Sequence, residues 1–168
     1  MVAELNRRCF PVISLESATM PTASSAAVRH KRLRMLSAVA VLYWLVLTVL
    51  MHMPLEPRPP QPDDGIPKDK TVHFTLYAGL AVCFVCVLEQ RARVDPAAWP
   101  RNQLSRYLAV LSFCTVHGFI EELTQPLTGR TYDLADFLAD CWGAILGLVG
   151  YFVASKLILA MQNRRSAG

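Results

Sequence analysis

MLSAVAVLYWLVLTVLMHMPL, residues 35–55, runs for 21 positions without an Asp, Glu, Lys or Arg. At a rise of ~1.5 Å per residue, a helix of that length crosses the hydrocarbon core of a bilayer. Water-soluble helices keep a charged face and seldom stay uncharged on every side for about five turns, which argues against a soluble helical bundle. Outward from this stretch, Thr71–Leu88 is a second run of 18 residues, broken only by His73. Tyr107–Ile120 and Cys141–Ser155 are shorter apolar runs, each extending at one end into a few polar residues. Hydrophobic residues make up 53% of the chain and charged residues 18%, below the roughly one quarter that soluble domains carry.

The pattern predicts an all-α integral membrane bundle of four transmembrane helices, over about 35–53, 71–89, 105–124 and 137–159. They form one membrane domain, 31–163, between a disordered basic N-terminus, 1–30, and a short tail, 164–168. Arg29, Lys31, Arg32 and Arg34 stand directly before the first run, as in a signal peptide. Met51-His52-Met53-Pro54 offers no small-residue cleavage site, however, so the first helix is expected to remain uncleaved. The connections are a proline-rich loop from Pro54 to Asp69, a polar loop over 89–103, and a tight Gln125-Pro126-Leu127-Thr128-Gly129-Arg130 turn.

With four spans, these segments alternate between the two sides. Of the 17 Lys and Arg residues, thirteen fall in the N-terminus, the 89–106 loop and the C-terminal end, and four in the other two loops. The positive-inside rule then places both termini in the cytoplasm and the protein in the cell membrane as a multi-pass chain. The net charge of +4 is thus an orientation signal rather than a nucleic-acid surface. The five cysteines are an odd number, and Cys83-x-x-Cys86 lies inside a span without a partner pair. These cysteines read as small packing residues.

This topology sends the unusual polar residues to one membrane face. Asp69, Lys70, His73 and Tyr77 occupy the outer end of the second helix, with Asp69, His73 and Tyr77 on one stripe at i, i+4, i+8. His117, Glu121 and Gln125 repeat that spacing on the third helix, with Glu122 alongside. Arg130 lies in the outer turn, and Asp133, Asp136 and Asp140 begin the fourth helix at i, i+3, i+7. Gly143 and Gly147 follow as a GxxxG, a helix-packing motif. A carboxylate near hydrocarbon costs a few kcal/mol unless it pairs or reaches water, so these acids should face a polar interior pocket. The bland alternative is that they sit at the headgroups or hold the helices together by ion pairs. No HExxH or comparable ligand spacing is present, so neither a metal nor another cofactor is expected.

At these residues the sequence resembles the VanZ-like family of small bacterial membrane proteins. The resemblance covers about residues 65–150 and rests on Asp69-Lys70, His73-Phe74, Tyr77 and Leu80, then Glu122-x-x-Gln125, Gly129-Arg130, Asp133, Asp136, Gly143-Ala144 and Gly147. Thr128 stands where the family usually has Pro, and Asp140 where it usually has Asn. The resemblance implies a cell-envelope role, and the best-known member is associated with reduced susceptibility to the antibiotic teicoplanin.

Three functions compete at this stage. The first is binding of a lipid-linked or anionic headgroup, such as a cell-wall precursor, by Arg130, Lys70 and Gln125 in an extracytoplasmic pocket. The second is a membrane enzyme using Glu122, Asp136 or His73 for acid–base chemistry, although the sequence marks no catalytic residue. The third is a structural or partner-binding protein. The bilayer is the one obligatory partner, and nothing calls for an oligomer.

Overall fold

A computed structural model describes residues 23–53 and 68–166. It contains four α-helices and no strand among the described residues: α1 Ala23–His52, α2 Lys68–Val94, α3 Gln103–Thr124 and α4 Leu134–Ser166. A 3-10 turn, Gln125–Thr128, follows α3. Three helices, α1, α2 and α4, are long and apolar enough to cross a membrane. The third expected span is not among them, because α3 carries Arg106, His117, Glu121 and Glu122 within 22 residues.

α1 begins twelve residues before the expected span. No Gly or Pro interrupts Ala23–His52, and Ala-Ser-Ser-Ala-Ala at its start tolerates helix well, so residues 23–30 are helical where a disordered N-terminus was expected. Residues 1–22, 54–67, where a proline-rich loop is expected, and 167–168 lie outside the described residues. α2 continues past Leu88 to Val94, with Asp69 in its first turn and Arg91 and Arg93 in its last, charges that suit the helix dipole at each end. It stops just before Asp95-Pro96.

α3 opens on a capping box. The Asn102 side chain accepts from the Ser105 N–H at 2.7 Å, and the Asn102 N–H donates to Ser105 Oγ at 3.3 Å. At its far end Pro126 enters the 3-10 turn, which closes on Gly129 at φ +81°, a left-handed conformation that suits glycine. That reversal carries the chain into Arg130 and the start of α4. There Asp133 Oδ1 accepts from the Ala135 N–H at 2.8 Å and caps the first turn.

α2 is the hub and packs on all three other helices, most extensively on α4. The reason lies in Gly143 and Gly147, whose missing side chains let the α4 backbone rest on α2. A Cβ at Gly143 would overlap the Phe74 carbonyl, and one at Gly147 the Ala78 carbonyl. The apolar core joins Leu47 and Met51 to Tyr77, Leu80, Ala81 and Val85, then Val110, Cys114, Ala144 and Leu148. Cys83, Cys86, Cys114 and Cys141 are free thiols.

The polarity is inverted relative to a protein that folds in water. Val39, Leu42, Val46 and Val49 of α1, Val116, Phe119, Ile120 and Leu123 of α3, and Leu138, Trp142, Leu146 and Val149 of α4 are exposed. His73, Glu121, Glu122, Gln125, Asp136 and Asp140 are buried. An apolar exterior, with the buried polar residues kept inside beside the apolar core, suits lipid as the surrounding solvent.

Candidate functional site

The buried polar residues gather at the end of the bundle formed by the start of α2, the end of α3, the turn and the start of α4. Lys70 reaches from α2 to two acids, with Nζ 2.7 Å from Asp133 Oδ2 and 2.9 Å from Asp136 Oδ1. Its ammonium holds the Asp133 carboxyl below the usual carboxylate range, helped by the Ala135 N–H. One turn deeper, His73 Nδ1 lies 3.0 Å from Asp140 Oδ1, and His73 Nε2 lies 3.9 Å from Asp136 Oδ2.

Arg130 ties the turn to the two helix ends beside it. Its Nη1 donates to the Met51 carbonyl at 3.0 Å and its Nη2 to Asp69 Oδ2 at 3.4 Å. Glu122 Oε2 accepts from the Asp133 main-chain N–H at 3.0 Å, which locks α3 to the start of α4. Asp69, Arg130, Asp133 and Asp136, with Gly129 and Thr131, line a cleft of about 240 Å³.

A second cluster lies farther along the helices. Tyr77 Oη donates to Glu121 Oε2 at 2.7 Å and lies 2.8 Å from His117 Nδ1. His117 Nε2 then meets Thr48 Oγ1 of α1 at 3.2 Å. The two clusters approach each other across Gly118, where a Cβ would stand 3.1 Å from Asp140 Oδ2 and 3.3 Å from the Tyr77 hydroxyl. A side chain there would press on both polar groups.

The expected residues therefore do not form one pocket. Asp69, Arg130, Asp133 and Asp136 share the cleft, Lys70 is bonded to the last two, and His73 and Asp140 stand behind Asp136. Tyr77 and Glu121 belong to the deeper cluster with His117, although Tyr77 shares a helical stripe with Asp69 and His73. Gln125 is fully buried, and its amide has no hydrogen-bond partner among the described residues. Its main-chain carbonyl accepts from the Arg130 N–H at 3.3 Å and from Thr128 Oγ1 at 2.9 Å. Gly143 and Gly147 lie on the α2–α4 contact, outside the site.

The α1 contribution was missed. Thr48 and His52 sit four residues apart on a run that reads as plain membrane helix, and that spacing was the available signal. His52 Nε2 meets Thr124 Oγ1 at 2.8 Å, and its Nδ1 meets the Thr48 carbonyl at 2.8 Å. Metal-ligand geometry was also not visible as a motif, because the donors come from separate helices. Asp69, His73 and Asp136 each offer a donor atom within 4.8 Å of the others, and so do His73, Glu122 and Asp140.

No protein-family model, curated protein or solved structure matches this chain.

Proposed function

We propose that this is a VanZ-like membrane protein of the cell envelope, and that its cleft receives the polar headgroup of a lipid-linked molecule bearing phosphate. The chain crosses the bilayer four times with both termini in the cytoplasm. Support for a membrane-crossing α3 comes from its outward face of Val116, Phe119, Ile120 and Leu123, since its acids point inward. The distribution of Lys and Arg supports the orientation, which puts the cleft on the extracytoplasmic side.

The observation that carries the headgroup reading is the setting of Arg130. Its side chain is only 9% exposed, stands on the cleft wall at the helix ends, and uses two of its five N–H donors on Met51 and Asp69. A guanidinium held in place is a bidentate phosphate receptor. The carboxylates of Asp69, Asp133 and Asp136 complement it by accepting from headgroup hydroxyls.

The test is thermal unfolding in detergent with and without a lipid-linked cell-wall precursor. Wild type should be stabilised by the precursor, while folded Arg130→Ala should lose that shift. An equal shift in both would remove Arg130, and with it the reading. Acid–base catalysis is the second reading, favoured by His73 Nε2 standing near Asp136 at the back of the cleft. It requires turnover that Asp136→Asn abolishes while headgroup binding persists.

A further inference from the structure

We propose that Asp69, His73 and Asp136 form a site for a divalent transition-metal ion such as Zn²⁺ or Mn²⁺ at the back of the cleft. The inference goes beyond headgroup binding and does not depend on it. Its starting point is a buried imidazole nitrogen with no hydrogen-bond partner. His73 is 1% exposed, and its Nε2 is unpartnered among the described residues. Such a group costs free energy when left unsatisfied.

The other ring nitrogen shows why Nε2 is the free one. Nδ1 lies 3.0 Å from Asp140 Oδ1, and in the neutral tautomer that donates Nδ1–H to this carboxylate, Nε2 presents a lone pair. A histidine that ligates a metal usually donates its second N–H to a carboxylate in this way. Nε2 stands 3.9 Å from Asp136 Oδ2, an oxygen that the Lys70 ammonium leaves alone, since Lys70 bonds Oδ1. Asp69 brings the third donor, and all three fall within 4.8 Å of one another. Metal–ligand bonds of about 2.0–2.2 Å place neighbouring ligands roughly 3 Å apart, so side-chain shifts of about 1 Å close the triad on an ion.

One imidazole and two carboxylates suit Zn²⁺ or Mn²⁺ better than the all-oxygen shells that Ca²⁺ and Mg²⁺ prefer. Asp69 and Asp136 also line the cleft, which leaves the remaining coordination positions open to water or a ligand.

The experiment is metal binding by the full chain, purified without a polyhistidine tag, stripped with chelator and titrated with Zn²⁺ or Mn²⁺ alone. One ion per chain should bind, and Co²⁺ should give the visible absorption of an imidazole–carboxylate site. His73→Gln and Asp136→Asn should weaken binding at least ~100-fold. Asp140→Asn, acting through the imidazole, should weaken it ~10–100-fold. Glu122→Gln should leave it within about threefold, because Glu122 is outside the triad. Absence of a stoichiometric ion in the wild type would overturn the proposal without reliance on any variant. So would binding that Glu122→Gln destroys and Asp136→Asn spares, which would put the ion with Glu122 and Asp140 instead.

Discussion

The imidazole of His73 and the carboxylate of Asp140 meet at 3.0 Å with both side chains 1% exposed, joining α2 to α4 inside an apolar bundle. A buried pair of this kind is costly to break from one side, because the survivor keeps its desolvation penalty and loses its partner.

Asp140→Ala should therefore destabilise the protein by about 1–3 kcal/mol. Asp140→Asn, which still accepts from Nδ1–H, should cost distinctly less. Urea unfolding in detergent reads the difference, and equal costs would mean that the contact contributes nothing specific.

The α2–α4 seam has no room for a methyl group. Gly147→Ala should cost about 1–3 kcal/mol through overlap with the Ala78 backbone. Gly150→Ala, three residues on, meets nothing within 4 Å and should be neutral or slightly stabilising. Comparable losses at both positions in thermal unfolding would contradict the packing described for α4.

Tyr77→Phe removes one hydroxyl that serves both Glu121 and His117. The expected loss is about 1–3 kcal/mol, since the Glu121 side chain stays buried. Thr48→Val, at the α1 end of the same chain of contacts, should cost about 1 kcal/mol. A double-mutant cycle should show the two changes to be coupled, and strict additivity would separate α1 from the cluster.

The Lys70–Asp133 pair gives a pH dependence of defined sign. Asp133 titrates below its usual value in the folded protein, so its contribution is present above the usual carboxylate value of 3.8 and fades as pH falls through the lower folded value. Lys70→Met should be less stable than wild type at pH 7, and the gap should narrow below about pH 4. Asp133 is half-exposed, so the gap is modest. A gap that widened in acid would contradict the pairing.

Much of the outer cluster was legible because helical spacing already aligns its members. Asp133, Asp136 and Asp140 do fall on the α4 side that meets α2, and Gly143 and Gly147 continue that line. What spacing does not carry is the partner on another helix. Tyr77 stands one turn beyond His73 on the same stripe, yet it turns to α3 while His73 turns to α4. The roles of Thr48, His52 and the Met51 carbonyl depend on partners more than 60 residues away in sequence, and no local pattern marks them. α1 begins early because alanine and arginine are good helix formers, whereas hydropathy reports only the part that suits lipid.

The central claim is that α3 crosses the membrane and leaves the cluster facing outward. Single cysteines at exposed Thr131, beside the cleft, and exposed Ala97, in the α2–α3 connection, test it in a cysteine-free background. A membrane-impermeant maleimide should label Thr131→Cys in intact cells and Ala97→Cys only after permeabilisation. Both sites labelled from the same side would mean that α3 does not cross, and the reverse pattern would place the cluster in the cytoplasm; either result contradicts the account.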